Sequence, residues 1–225
     1  MLGFLAACQS AEPLRTAPQT THMLRLSCEG ETSGFYMSRL AVLDIGDPFH
    51  DYGIGTGHGI PPGRPCEVAD FEGRSAIVEH YDFAPDYASG TSSDWAILRF
   101  RRLATPELVR YPLEALQPAT PEDGTEIQFA QARGLAENRQ TCQIETLVFP
   151  GGQNRISHDC RNRAGQSGTP ITQRIDGVDR LVGLHIGELW MVESPKTGRP
   201  DRKGYLNLFD DVTIAQIEAI IAQNK

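Results

Sequence analysis

The 225-residue chain has few clustered positive charges, no metal-ligand spacing and no long apolar run after its first residues. Its 21 Lys and Arg residues are outnumbered by 29 Asp and Glu residues, and the formal net charge is −8. Because phosphate binding depends on clustered Lys and Arg, this composition argues against a nucleic-acid surface. The absence of CxxC and HxxxH spacings argues against zinc, and no segment beyond the amino terminus is long and apolar enough to span a bilayer. We therefore expect no metal, no cofactor and no nucleic-acid partner.

The amino terminus lacks the charged start and the apolar core of about 7–15 residues that secretory signals normally have. Only seven residues precede Cys8, and none of them is Lys or Arg. Residues 5–8 (LAAC) nevertheless look like a bacterial lipobox, whose cysteine is lipidated after signal cleavage. Residues 9–21 are rich in Ser, Thr, Pro and Ala, which is typical of a flexible tether. We expect residues 1–22 to be a signal remnant and tether, with lipid on Cys8 as the only membrane link. The alternative is a frayed apolar tail.

The most informative stretch is residues 165–170 (GQSGTP), in which Ser167 stands between glycines and precedes a proline. The first glycine allows a backbone turn that points its own N–H and the serine N–H at one spot, and the second leaves room for substrate. This pattern predicts a nucleophilic serine with Gly165 and Ser167 as oxyanion-hole donors. The alternative is an ordinary Gly/Ser/Pro turn.

A nucleophilic serine needs a carboxylate and a histidine, and two upstream segments provide candidates. Asp94 precedes the short apolar run 95–98 (WAIL), where backbone donors can hold its carboxylate while it orients an imidazole. The alternative for Asp94 is a turn aspartate before a buried strand. His58 follows the small residues of 53–57 (GIGTG), which leave space around its ring. We expect His58 to be the general base.

In chain order, His58, Asp94 and Ser167 make the sequence resemble the chymotrypsin-like serine proteases. The similar segments cover nearly all of the chain after about residue 24 and are residues 57–58 (GH), 94–98 (DWAIL), 159–170 (DCRNRAGQSGTP) and 182–185 (VGLH). The resemblance implies an all-β fold of two packed six-stranded antiparallel β-barrels with a C-terminal α-helix. It also implies a serine endopeptidase that cuts peptide or protein substrates through a Ser/His/Asp triad and an acyl-enzyme.

The histidine of the triad has a second possible alignment. Residues 42–47 (VLDIGD) can also be aligned with the strand that leads to the family's histidine. This alignment would put Asp47 at the position of the general base, and the protein would then be inactive. We prefer His58 because residues 57–58 (GH) match the family's motif without a substitution. His50 sits in a predicted hairpin loop. The remaining histidines outside the pocket are expected to be at the surface or structural: His22, His80 and His158.

The expected halves of the molecule are residues 23–112 for the first barrel and residues 113–225 for the second barrel with the helix. Residues 176–177 (DG) are a strong hairpin signal. Either aspartate of residues 210–211 (DD) can cap the final helix. Three isoleucines then recur at helical spacing: Ile214, Ile217 and Ile221. We expect this helix to pack on the barrel as plain core.

Setting Cys8 aside leaves four cysteines, an even number that predicts disulfides in an oxidising compartment. Four cysteines allow three connectivities. Our expected pairing joins Cys142 to Cys160, near the nucleophile loop, and Cys28 to Cys66, near the histidine. Export to a bacterial cell envelope or the medium agrees with this pairing.

The specificity pocket is predicted from the resemblance. The residue before the nucleophile is Gln166, where the trypsin branch has an aspartate that pairs with a newly cut amino terminus; in this respect the chain is closer to the glutamyl endopeptidases. The family's pocket corresponds to Arg161, Asn162 and His185. In glutamyl endopeptidases a histidine at the position of His185 recognises an acidic side chain, which favours cutting after Glu or Asp. The alternatives are a solvent-exposed Arg161 and a His185 that is merely packed in its strand.

Two other function classes stay open. The same fold with an incompetent triad would be an inactive, protease-like lipoprotein that binds peptides. An esterase of another fold is disfavoured because a nucleophile elbow requires GxSxG, and position 169 is Thr. The expected assembly is a monomer.

Overall fold

The computed structural model describes residues 20–30, 35–119, 122–133, 136–148, 154–161, 164–190 and 202–224. Cys8 and Asn162 lie outside these described residues. Among these residues, no helix combines the length and the apolar character that are needed to cross a membrane.

The first barrel is built from short strands whose side chains alternate between its interior and its outer surface. Its strands are β1 (Leu24–Glu29), β2 (Phe35–Asp44), β3 (His50–Gly55), β4 (Cys66–Ala69), β5 (Ser75–Phe83), β6 (Ala96–Arg101) and β7 (Arg110–Pro112). The order β1-β4-β5-β6-β3-β2 is antiparallel throughout, and pairing of β1 with β2 closes the ring. β7 adds a parallel strand to β2 outside the ring.

The second barrel follows the same plan. Its strands are β8 (Glu126–Arg133), β9 (Ala136–Val148), β10 (Asn154–His158), β11 (Pro170–Ile175), β12 (Val178–Trp190) and β13 (Arg202–Leu208). They close in the antiparallel order β10-β13-β12-β11-β8-β9. The predicted hairpin turn joins β11 to β12, with φ of 50° at Asp176 and 76° at Gly177, as a type I′ turn requires. Two closed six-stranded barrels confirm the predicted fold class.

The barrels share a hydrophobic core at the seam between them. Two apolar runs of the sequence, residues 40–43 (LAVL) and 95–98 (WAIL), have no polar face. Alternate residues of each run pack inside the first barrel, and the others, including Trp95, pack at the seam. Leu181 and Leu184 of the second barrel complete this seam core. A strand buried on both faces needs no polar alternation, and this double burial anchors the segment around Asp94.

The chain ends in the helix α1 (Asp211–Gln223). Asp210 caps its amino end by accepting a hydrogen bond from the backbone N–H of Thr213 at 2.7 Å. The buried faces of Ile217 and Ile221 pack into the seam core. The predicted C-terminal helix is therefore present and covers the seam.

Two disulfides reinforce the barrels. Cys28 and Cys66 face each other on the neighbouring strands β1 and β4 and are bonded. Cys142 of β9 is bonded to Cys160, which begins the segment leading to Ser167. These are the two pairs expected among the three possible connectivities.

The first barrel contacts Thr21 and His22, two residues that we predicted to belong to the tether. Thr21 N–H donates to the Glu107 carbonyl at 2.9 Å, and Val109 N–H donates to the Thr21 carbonyl at 2.7 Å. His22 Nδ1 lies 3.1 Å from Tyr111 Oη. The packed part of the chain therefore includes residues 21–22.

Mass mapping of the unreduced protein should recover Cys28 linked to Cys66 and Cys142 linked to Cys160. Replacing Cys28 and Cys66 by serine should lower the free energy of unfolding by about 2–4 kcal/mol, because the link restricts the unfolded chain. A control substitution of the exposed Ser75 by alanine should change it by less than about 0.5 kcal/mol. A free Cys28 thiol in the oxidised protein would contradict this pairing.

Candidate active site

Asp94 is fully buried at the end of the loop between β5 and β6. Its Oδ1 accepts a hydrogen bond from the His58 backbone N–H at 2.9 Å, and its Oδ2 accepts one from the Gly90 N–H at 2.6 Å. Burial alone raises the pKa of Asp94, but the bonds from His58 and Gly90 outweigh it and hold this pKa below its usual value. The carboxylate is therefore ionised at neutral pH and acts only as an acceptor.

His58 is presented by a short 3-10 turn, Gly57–Gly59, that follows β3. Its Nδ1 lies 2.7 Å from Asp94 Oδ2, and its side chain is 30% exposed. Because the carboxylate only accepts, a neutral His58 ring carries its proton on Nδ1 and keeps a lone pair on Nε2. A Cβ at Gly59 would lie 2.7 Å from Ser38 Oγ, so the turn can pack against β2 only without a side chain there.

The loop that carries Ser167 enters the seam between β2 and β12. The Arg39 N–H donates to the Ser167 carbonyl at 2.7 Å, and the Gly168 N–H donates to the His185 carbonyl at 2.7 Å. Both barrels therefore hold the backbone on either side of the serine side chain.

Gly168 makes a close backbone approach possible at this point. Its φ is 83°, and a Cβ there would overlap the Arg39 carbonyl oxygen and lie 3.2 Å from the Thr56 nitrogen. Thr56 precedes His58 by two positions. The fold thus brings Ser167 to the end of the seam where His58 meets Asp94.

Two backbone donors of the loop around Ser167 have no acceptor among the described residues. Among the described residues, neither the Gly165 N–H nor the Ser167 N–H donates a hydrogen bond, and Gly165 has φ of 82°. Both donors are thus available to a ligand, as an oxyanion hole requires. In the same described set, no hydrogen bond joins Ser167 Oγ to the His58 ring, whose partner is Asp94.

His158 and His185 form a buried pair beside this loop. Cys160 N–H donates to His158 Nδ1 at 3.1 Å, so the proton of a neutral His158 is on Nε2. His158 Nε2 lies 3.0 Å from His185 Nδ1 and donates to it, which leaves the His185 proton on Nε2. Burial lowers the pKa of His158 to about 4 and that of His185 well below 6.5. Both rings are neutral at physiological pH, and their tautomers follow from one backbone N–H.

Two other sequence candidates, Arg161 and Asp47, make contacts of their own. Arg161 is exposed, and its backbone N–H donates to Gln140 Oε1 at 3.3 Å. Asp47 lies in the bend before β3 and bonds His50, the first residue of that strand, with Oδ2 3.1 Å from Nδ1. The histidine that contacts Asp94 is His58, so the geometry gives no support to the alignment with Asp47 as the base.

Sequence reasoning missed the contact between His158 and His185. It placed His158 among surface or structural residues, and the structure buries it completely. The alternation of side chains along a strand could have indicated this burial. His158 lies on the same face of β10 as Ile156, which packs against the core of the second barrel.

No protein-family model matches the sequence, and a comparison with curated proteins finds no match either. Among solved structures, a scabies mite inactivated protease paralogue, S-I1, is 15% identical with a TM-score of 0.62, over 91% of this chain and 95% of that chain. A thermostable serine protease, AL20, from an extremophilic microorganism is 12% identical with a TM-score of 0.58, over 83% of this chain and 90% of that chain. The chain has the two-barrel fold of the chymotrypsin-like serine proteases.

The buried histidine pair should make stability depend on pH. As pH falls from 6.5 towards about 4, unfolded His158 takes up a proton while the folded ring stays neutral, so the free energy of unfolding should fall. One such proton gives a slope of about 1.4 kcal/mol per pH unit. Denaturant titrations across this range should show a smaller slope for His158→Gln, whereas His80→Gln, at an exposed site, should keep the wild-type slope. An unchanged slope in His158→Gln would exclude the neutral buried ring.

Proposed function

We propose that this protein is a serine endopeptidase that uses Ser167 as nucleophile, His58 as general base and Asp94 as the carboxylate that orients His58. The observation that carries the proposal is the buried, ionised Asp94 bonded to His58 Nδ1 at 2.7 Å. This bond leaves the basic Nε2 for proton transfer and stabilises the imidazolium that forms. The fold shared with one serine protease of known structure supports the same activity.

The proposed reaction begins when His58 Nε2 takes the proton of Ser167 Oγ as this oxygen attacks a peptide carbonyl carbon. The N–H groups of Gly165 and Ser167 stabilise the oxyanion. The C–N bond breaks as His58 returns the proton to the leaving amine, and an acyl-enzyme remains. A water molecule, deprotonated by His58, then attacks the ester carbonyl. The bond from the acyl carbon to Ser167 Oγ breaks as His58 returns the proton to this oxygen, and the acid is released.

A fluorophosphonate probe tests the proposed nucleophile. It should label the wild-type protein on Ser167, and Ser167→Ala should abolish labelling while Ser75→Ala, at an exposed serine of β5, keeps it. Asp94→Asn should lower kcat by about 10⁴-fold, because the amide holds His58 in the wrong tautomer. Labelling that persists in Ser167→Ala would contradict the assignment.

A second candidate is an inactive protein that binds peptides in the same cleft. It is favoured by the missing hydrogen bond between Ser167 Oγ and His58 among the described residues. Catalytic hydrogen bonds often form only when substrate is bound, so we prefer the enzyme. Peptide binding without probe labelling or cleavage would select the inactive protein.

For the substrate, we infer a preference for Glu or Asp before the cut. His185 presents an Nε2–H donor, and its backbone carbonyl bonds Gly168, next to the nucleophile. Burial, and to a smaller extent His158 and His58, lowers the pKa of His185. An N–H donor suits a carboxylate, and the bond becomes stronger when the acceptor is charged. Arg161 is exposed and contributes a screened charge at most.

The proposed site of action is outside the cytoplasm. Two disulfides suit an oxidising compartment, and lipidation of Cys8 would anchor the protein to a bacterial cell envelope.

A peptide library tests the acidic preference. Cleavage after Glu should exceed cleavage after Gln, and His185→Ala should reduce this ratio by about ten- to a hundredfold through loss of a charge-assisted bond. Because His185 stays neutral, the ratio should change little between about pH 6 and 8. His80→Ala serves as a control at an exposed histidine. Cleavage after Lys, Arg or apolar residues, unchanged in His185→Ala, would assign His185 to packing alone.

A further inference from the structure

Gly90 connects the Asp94 carboxylate to the second barrel through its two backbone groups. Its N–H donates to Asp94 Oδ2 at 2.6 Å, and its carbonyl accepts a hydrogen bond from Arg155 Nη1 at 3.1 Å. Gly90 has φ of 73°, a conformation that favours glycine. One residue of the first barrel therefore contacts the buried carboxylate on one side and strand β10 on the other.

Tyr205 of the neighbouring strand β13 holds Arg155 in this position. The Arg155 Cζ lies 5.2 Å from the centre of the Tyr205 ring, within the range of a cation–π contact. A Cβ built on Gly90 would lie 3.5 Å from the Tyr205 hydroxyl, so the ring also borders the loop. Burial raises the pKa of Tyr205, Arg155 lowers it and Asp94 raises it further, which puts the hydroxyl within electrostatic reach of both groups.

Asn207 makes a second bond from the same barrel to the same loop. Its Nδ2 donates to the Ser92 carbonyl at 2.6 Å, and its side chain is buried. Two side chains of the second barrel thus bind two carbonyls of the loop that precedes Asp94.

We propose that Arg155 is a positioning residue that couples the second barrel to the geometry of Asp94 by holding Gly90. The proposal rests on the proposed function, since it concerns the carboxylate that orients His58. Without Arg155, the Gly90 carbonyl loses its donor, and the loop can rotate the Gly90 N–H away from Asp94 Oδ2. The carboxylate would then hold His58 Nδ1 less rigidly, and the proton transfer would lose alignment.

The test compares Arg155→Met, which keeps much of the side-chain length but removes the donor, with the conservative Arg155→Lys. In Arg155→Met, kcat should fall by about tenfold with little change in KM, because orientation and not substrate binding is disturbed. Exchange of the Gly90 amide hydrogen should become faster, and the NMR signal of the His58 Nδ1 proton should shift or broaden. Arg155→Lys, which retains a cationic donor, should restore part of each effect.

Arg180→Met is the matched control, because Arg180 Nη1 also donates to a backbone carbonyl, that of Glu114, at 3.0 Å. It should leave kcat and Gly90 exchange unchanged. Unchanged kcat, Gly90 exchange and His58 signal in a folded Arg155→Met protein would overturn the proposal. If Arg155→Met does not fold, Arg155→Gln, which is too short to reach Gly90, takes its place with the same expected results.

Failure of this proposal is distinguishable from failure of the proposed function. If the wild-type protein neither cleaves peptides nor reacts with the fluorophosphonate, the proposed function fails. The Gly90 exchange rate and the His58 proton signal still report on the coupling, because neither measurement requires turnover.

Discussion

The ionised carboxylate of Asp94 is the constraint around which the seam is organised. Moving an ionised group out of water costs free energy unless hydrogen bonds from the protein replace its hydration. Here the replacement donors come from two separated segments, the turn at His58 and the loop at Gly90. The carboxylate is satisfied only when both segments meet at the seam, so the same contacts that solvate the charge also orient the imidazole.

Close backbone approach at the seam depends on residues without a side chain. Gly59 packs against Ser38 of β2, and Gly168 lies against Arg39 and the backbone before His58. A larger residue at Gly168 would push the loop of Ser167 away from the histidine turn, and one at Gly59 would push that turn away from β2. The apolar runs that flank the seam hold the barrels together at this spacing.

The second barrel contributes more than Ser167, the proposed nucleophile. Its histidine pair determines a tautomer at His185, and its Arg155 supports the loop of Asp94. The two halves are thus linked by polar contacts as well as by the seam core, and the proposed chemistry draws on both.

The sequence predicted some features of the fold and of the candidate site, but not the contacts between distant residues. His58, Asp94 and Ser167 were predicted because each lies in a short segment with its own local signal, and the two barrels were predicted from the resemblance that those segments carry. The bonds from His158 to His185 and from Arg155 to Gly90 span 27 and 65 positions, and no local pattern reports them. The alternation along β10 could have indicated that His158 is buried, but it could not have named His185 as its partner.

The sequence by itself determined which side chains are apolar, where the turn at residues 176–177 reverses the chain, and where the final helix begins, because these depend on neighbouring residues alone. Only the tertiary structure decided which polar groups meet: Asp94 with Gly90, Cys160 with His158, and Arg155 with the loop of the other barrel. A hydrogen bond requires its two atoms to lie within about 3 Å. Such short distances between polar atoms arise when strands from both barrels pack together. Burial of apolar side chains alone is compatible with many arrangements in which these polar atoms lie too far apart to bond.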